Sequence, residues 1–253
     1  MKDIRGMSIL ITGGGSGLGA GMARRYAALG ARVTICGRRE EKINAVSASI
    51  GEACLAVRAD ITSAPDRVRL VDAAVAHGGG LDALINNAGN MYRGTIDALD
   101  EQRLLEVFHT NVVAAMMMTG LAAEHLSARR GAVIFIGSVH NRRAFPGASP
   151  YAATKGAVET LTRVLAAELG PRGVRVNCVA PGAVFTEINQ RAGLADDAAA
   201  LQRLQSMAPL HPLGRIGTEE EIAEGIEYLI RAEWTTGAQL DVDGGLGLGT
   251  TPF

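Results

Sequence analysis

Short apolar runs alternate along the chain with longer amphipathic stretches. The runs are Ser8–Thr12, Arg32–Cys36, Cys54–Arg58, Ala83–Ile85, Ala132–Ile136, Arg175–Val179 and Gln239–Val242. Most are apolar throughout rather than at every second position, the pattern of strands covered on both faces. Helical stretches fall between them, near residues 17–29, 40–49, 65–77, 101–128, 151–169 and 219–230. Strands alternating with helices predict an α/β fold: a Rossmann-type doubly wound parallel sheet of about seven strands with helices on both faces. No linker, repeat or charge block divides the chain, so residues 1–253 read as a single domain.

Ligands of such sheets bind beyond the carboxyl ends of the strands. The residues just past the apolar runs are Gly13–Gly19, Gly37-Arg38, Asp60, Asn86–Gly89, Ser138 and Pro181-Gly182. They are polar or glycine-rich at nearly every strand, which places a site along that edge.

The first strand runs into Thr12-Gly13-Gly14-Gly15-Ser16-Gly17-Leu18-Gly19. Glycine allows a sharp turn and close approach of a ligand to the backbone. A helix starting near Gly17 adds free N–H groups and a dipole that favour an anion. This loop is expected to seat a dinucleotide pyrophosphate. The second strand ends in Gly37-Arg38-Arg39, without the carboxylate that holds a ribose 2′-hydroxyl in NAD binders. Arg38 can pair with a 2′-phosphate, so NADP is expected in preference to NAD. A basic residue at Ser16 would have strengthened that expectation.

Tyr151 and Lys155 are four apart in a helical pattern and therefore share a face. A free phenol is a poor base at neutral pH, and a nearby ammonium favours its ionised form. The spacing alone is also that of an ordinary surface pair. Ser138, just past the fifth run, can hold a substrate oxygen near the phenol. Asn111 lies within the long segment 101–128, where asparagine is a poor helix former and can kink the helix or bond water.

Together, Thr12–Gly19, Asn86-Asn87-Ala88-Gly89, Asn111, Ser138, Tyr151-x-x-x-Lys155 and Pro181-Gly182 resemble the short-chain dehydrogenase/reductase family over nearly the whole chain. The resemblance implies a hydride-transferring enzyme that interconverts a carbonyl and a secondary alcohol. Tyr151 would be its general acid/base, and Lys155 would bind the nicotinamide ribose and depress the phenol pKa. Ser138 would orient the substrate oxygen, and Asn111 would hold a water linking Lys155 to solvent. Gly13, Gly15, Ser16, Gly17, Leu18 and Gly19 would line the pyrophosphate and Arg38 the adenosine end. Asp60 and Ile61 would touch adenine, and Asn87, Ala88 and Gly89 the adenosine ribose. Pro181, Gly182, Val184 and Thr186 would lie at the nicotinamide. Residues 186–214 would form a substrate lid, and the assembly would be a homotetramer built on the helices at 101–128 and 151–169 and on the last strand.

His140, in Ser138-Val139-His140-Asn141, is a candidate substrate contact, because some sugar dehydrogenases of that family carry Ser-x-His-Glu there. Arg142 and Arg143 are candidates for steering an anionic substrate. Leu201, Leu204 and Met207 read as packing, His211 as a loop histidine, and Phe253 as a residue that tucks into a neighbouring subunit. A 3-oxoacyl compound, a sugar or a xenobiotic ketone all remain open as substrate, as does an NAD-linked polyol dehydrogenase. A non-catalytic dinucleotide sensor fits poorly with intact Ser138, Tyr151, Lys155 and Asn111.

Composition adds mainly exclusions. A net charge of -1 argues against nucleic acid as a partner. Cys36, Cys54 and Cys178 have neither disulfide-like nor metal-ligand spacing and read as small core residues. No metal is expected. The N-terminal apolar run is too short for a signal peptide, and no stretch reads as a membrane span. A cytoplasmic location is expected.

Overall fold

The computed structural model describes residues 1–188 and 197–249. Its strands are β1 (Ser8–Thr12), β2 (Arg32–Gly37), β3 (Cys54–Arg58), β4 (Ala83–Asn86), β5 (Ala132–Ile136), β6 (Arg175–Pro181) and β7 (Gln239–Val242). They form one parallel sheet in the order β3-β2-β1-β4-β5-β6-β7. Neighbours in sequence become neighbours in space except where β1 pairs with both β2 and β4. The order reverses there, and a crevice opens at the strand ends.

The helices are α1 (Gly17–Ala28), α2 (Glu40–Ile50), α3 (Ala64–Gly78), α4 (Glu101–Phe108), α5 (Ala114–Arg129), α6 (Ser149–Leu169), α7 (Asp197–Gln205) and α8 (Glu219–Arg231). Alternate strand residues feed two cores. Ile9, Ile11 and Ile35 pack with Met22 and Tyr26 of α1 and Ile222 and Ile226 of α8. Leu10, Leu84 and Phe135 pack on the other face with Leu70 of α3, Met118 of α5 and Val158 of α6. Each large apolar side chain fully buried this way contributes roughly 2 kcal/mol. The Tyr26 hydroxyl needs a partner in such a core and donates to the Ala223 carbonyl at 2.9 Å, which ties α1 to α8.

Local sequence sets the helix ends. Pro65 sits in the first turn of α3, where its missing N–H costs nothing, and Gly79 closes that helix in the left-handed conformation. In α8, Thr218 and Glu221 cap each other reciprocally, and Glu219 to Glu221 complement the helix dipole.

The single helix expected over 101–128 is instead two helices joined by a π-helical turn, His109–Val113, with Asn111 inside it. Such turns insert an extra residue and concentrate at functional sites. Ala166 of α6 is buried in the core. Within the expected lid, residues 189–196 lie outside the described residues, as does Phe253.

Candidate active site

A cavity of about 430 Å³ runs across the carboxyl ends of the strands. Its floor comes from the loop after β1. Gly13 and Gly17 hold positive φ values of 69° and 52°, which lets the loop turn into α1 without strain. Ser16 precedes α1 in an extended conformation without capping it by its side chain, and the first turn has no acidic residue. The N–H groups of α1 are left for an anion in the cavity. A Cβ on Gly19 would fall 2.3 Å from the Gly13 carbonyl oxygen and 2.7 Å from Asn87 Nδ2. Gly19 does not line the cavity; it shapes the loop from behind.

Thr12 and Asn87 bolt the loops after β1 and β4 together. Thr12 Oγ1 accepts from the backbone of Asn87 at 3.0 Å and of Ala88 at 2.9 Å. Asn87 Nδ2 donates to the Thr12 carbonyl at 2.8 Å. Gly13, Gly15, Ser16, Gly17, Leu18, Asn87, Ala88 and Gly89 all line the cavity, as do Arg38, Asp60 and Ile61 at one end. Asp60 commits Oδ1 to Thr62, from its backbone N–H at 2.9 Å and its hydroxyl at 2.7 Å. Pro181, Gly182, Val184 and Thr186 line the opposite wall. Thr186 comes close to the loop, since a Cβ on Gly17 would lie 3.1 Å from its Cβ.

Ser138, His140, Tyr151 and Lys155 line the middle of the cavity. Tyr151 and Lys155 project from the first turns of α6, which begins at Ser149-Pro150, with proline tolerated at that start. Burial pushes the Tyr151 phenol up to about 12, and a hydrogen bond with Ser138 acts the other way. The net shift is upward, opposite to the lowering expected from the spacing with Lys155. Lys155 Nζ lies 5.4 Å from the Tyr151 ring centroid and donates to the Ile136 carbonyl at 2.7 Å. Burial in turn brings the Lys155 ammonium down to about 8. Loss of solvent dominates both groups.

Ser138 Oγ lies 3.0 Å from His140 Nδ1 and also accepts from the His140 backbone N–H at 3.3 Å. The imidazole meets the Tyr151 ring edge-on, with centroids 5.2 Å apart. Burial, then the charges of Arg93 and Lys155, lower its pKa to about 4, so it is neutral near pH 7. Asn111 stands behind the cavity wall. Its Nδ2 donates to the Asn90 carbonyl at 2.9 Å and to Thr154 Oγ1 at 3.1 Å, and its Oδ1 accepts from Asn90 N–H at 2.7 Å. The side-chain amide thus holds the 90–91 segment against α6.

Several expectations change. Arg142 pairs with Asp241 at 2.7 Å and Arg143 donates to the Leu246 carbonyl at 2.9 Å, and neither lines the cavity. Asn141 likewise turns away, bonding Glu159 and Gln239 at 2.8 Å each. Leu204 and Met207, expected only to pack, pack and also line the cavity. His211 is a loop residue but a buried one, 2% exposed, with Nδ1 against the Met207 carbonyl at 2.9 Å. Sequence reasoning missed Arg39, Lys42, Arg93, Phe145, Glu187 and Arg203, all of which line the cavity. All three cysteines are buried, and burial raises their thiol pKa values, to about 12 for Cys36 and Cys178.

The short chain dehydrogenase family profile matches residues 7–197. The chain belongs to the short-chain dehydrogenase/reductase family. An L-fucose dehydrogenase of Oryctolagus cuniculus is 36% identical to it over 252 residues, covering 98% of this chain and 87% of that one. A putative ketoacyl reductase of granaticin synthesis from Streptomyces violaceoruber is 37% identical over 243 residues, 94% of this chain and 95% of that one. Among solved structures, a 3-ketoacyl-(acyl-carrier-protein) reductase of Brucella melitensis complexed with NADH superposes with a TM-score of 0.88 at 32% identity, covering 96% and 99% of the two chains. The family's enzymes are oxidoreductases that use NAD(H) or NADP(H). The uncapped α1 terminus and the glycines at the cavity floor fit that dinucleotide here.

Proposed function

We propose that this short-chain dehydrogenase interconverts a carbonyl compound and a secondary alcohol, with Tyr151 as general acid/base and NADP as the preferred cofactor. The observation that carries the reading is the buried Tyr151–Ser138–His140 cluster beside Lys155 on the wall of a cavity floored by Gly13–Gly19. A bound reduced dinucleotide supplies the hydride that reaches the substrate's carbonyl carbon. Ser138 Oγ and Tyr151 Oη hold the carbonyl oxygen between them. A phenol held near 12 is fully protonated at neutral pH, so Tyr151 Oη delivers the proton to the alkoxide as it forms. In the reverse direction the same oxygen, as the phenolate left once its own proton has gone, takes the alcohol proton. Neutral His140 orients the Ser138 hydroxyl without adding charge to the oxygen site. Lys155, still largely an ammonium at pH 7, would hold the nicotinamide ribose. The backbone of the π-turn, rather than the committed amide of Asn111, is where a water toward Lys155 would bond.

Arg38 lines the adenosine end as the candidate partner of a 2′-phosphate. A second reading, an NAD-linked dehydrogenase of polyols or other secondary alcohols, draws on a different observation. Glu187 occupies Arg39 and Lys42 at 2.6 and 3.3 Å, which removes two cations from a 2′-phosphate. The NADH complex of the Brucella reductase and the sugar oxidised by the rabbit relative point the same way. Titrating the protein with NADPH and NADH by nicotinamide fluorescence decides between them. The NADP reading requires tighter NADPH binding that Arg38→Asp reverses; tighter NADH binding in the parent protein would establish the NAD reading.

Assembly as a cytoplasmic homotetramer is part of the same proposal. The segment Glu101–Arg129 is long and apolar enough to cross a membrane, but Met118, Ala122 and Leu126 on one face belong to the core. On the other face Val113, Met116, Met117 and Leu121 are exposed, as is Val164 of α6. Two apolar helix faces side by side fit burial against a second copy. Buried, free cysteines fit a reducing compartment.

A further inference from the structure

The charges around the cavity are unevenly distributed. Its only lining carboxylates among the described residues, Asp60 and Glu187, belong to the end near β2 and β3. The far end, past Ser138 and Tyr151, is walled by Val139, Phe145, Leu204, Met207 and Leu246. Two arginines line this apolar end, half-buried Arg93 from the segment after β4 and exposed Arg203 from α7.

Neither has an acidic partner among the described residues. Arg93 makes one hydrogen bond, from Nη2 to the Pro146 carbonyl at 3.1 Å, which anchors it beside the loop that carries Phe145. Burial and then the like charge of Arg203 pull its pKa below the ordinary value, and its own charge reaches His140. Of the other cations near the cavity, Arg38 lies at the opposite, adenosine end, and the rest are engaged. Arg39 and Lys42 share Glu187, Arg142 pairs with Asp241, Arg143 donates to Leu246, and Lys155 donates to Ile136. Two like charges facing one apolar chamber repel unless an anion lies between them, and guanidinium groups suit carboxylate and phosphate oxygens.

We propose that the substrate end of the cavity is built for an anionic compound, an apolar chain bearing a carboxylate or phosphate held by Arg93 and Arg203 while its carbonyl or alcohol carbon lies at Tyr151. The proposal rests on the oxidoreductase reading above and narrows its substrate class. Arg93 follows β4 and Arg203 belongs to α7, whose Leu204 already packs with Val139 and Leu246, so one anion would link the two segments. Ser138, with His140 behind it, serves the oxygen site, so the anion and the reacting oxygen have different partners.

Calorimetric titration of the NADP⁺-saturated protein with octanoate, octyl phosphate and octanamide tests this without requiring turnover. Saturation keeps the probes from the cofactor's own phosphate positions. At least one anion is expected to bind tenfold or more tightly than octanamide, and the tighter anion identifies the headgroup. Arg93→Met and Arg203→Met should each erase most of that advantage and leave octanamide binding within twofold. Octanamide binding as tightly as both anions, no binding by any probe, or an advantage that survives both substitutions would overturn the proposal. The outcomes separate from those for the catalytic reading. Anion binding that persists in a protein with no oxidoreductase turnover would remove only the activity, whereas turnover of neutral ketones without anion preference would remove only this site.

Discussion

Arg39, at the end of β2, and Glu187, at the start of the lid, meet across the cavity at 2.6 Å although 148 residues separate them. Ser16 and Lys42 join them, at 3.4 Å from Arg39 and 3.3 Å from Glu187 respectively. Burial pushes the Glu187 carboxyl up, but hydrogen bonds from Arg39, Ser16 and Lys42 prevail and hold it at about 2. A carboxylate therefore stands at the adenosine end after all, supplied from the lid rather than from β2. It is ionised throughout the physiological range, so it opposes a second anion there at all working pH values.

That geometry makes Glu187 a brake on 2′-phosphate binding. Glu187→Gln is expected to strengthen NADPH binding several-fold while leaving NADH binding within about twofold, an effect of roughly 1 kcal/mol, as befits a partly exposed ion pair. Fluorescence titration of both cofactors reads the ratio directly. Equal changes for the two cofactors would assign Glu187 to lid closure alone.

Gly19 tests the packing behind the cofactor loop. A methyl group there meets a backbone carbonyl at 2.3 Å, which cannot rotate away. Gly19→Ala is expected to cost about 2 kcal/mol or more in stability. Chemical denaturation should show the loss, accompanied by weaker dinucleotide binding as the Gly13 turn shifts. Unchanged stability would mean that the loop has room the geometry denies.

The fold and the glycine loop at the cavity floor were legible because their signals are local. Apolar runs announce buried strands, and glycines beside a strand end announce a tight turn. That Tyr151, Lys155 and Ser138 would meet at one cavity was legible from their spacing and their places past the strand ends. The π-turn at Asn111 was not, because an extra residue within a long apolar helix leaves its pattern almost unchanged. Glu187 and Arg203 were illegible for another reason. A charged residue on a surface-like stretch has no periodicity to distinguish cavity from solvent, and its partners lie far away in sequence. The pKa of Tyr151 went against expectation because spacing predicts an ammonium nearby but not the loss of solvent around both groups.

His140 should leave a mark on acid stability. Its pKa is depressed from 6.5 to about 4, so as pH falls below 6.5 the unfolded chain takes up a proton that the folded chain refuses. The folded state therefore loses stability between pH 6.5 and about 4, by at most ~3 kcal/mol from this group. Urea denaturation at several pH values should show a shallower decline for His140→Gln than for the parent protein. Parallel declines would place His140 in contact with water.

The outer face of α5 should control assembly. Met117 is 49% exposed in the single chain, beside exposed Met116 and Leu121. Met117→Glu would bury a charge in any interface formed there and should dissociate the proposed tetramer, as read by sedimentation velocity. A parent protein that sediments as a monomer, or a variant that remains a tetramer, would contradict the assignment of this face.

The central claim is that the Tyr151 hydroxyl moves the substrate proton. The most direct test is Tyr151→Phe, measured both for turnover and for dinucleotide affinity. The substitution removes one oxygen from a buried ring and leaves the Ser138–His140 contact in place. A loss of turnover of about a hundredfold or more, with cofactor affinity within about threefold of the parent, is the predicted result. A variant that retains near-parental turnover would contradict the account and move the proton to the Ser138 hydroxyl, the other group at the oxygen site.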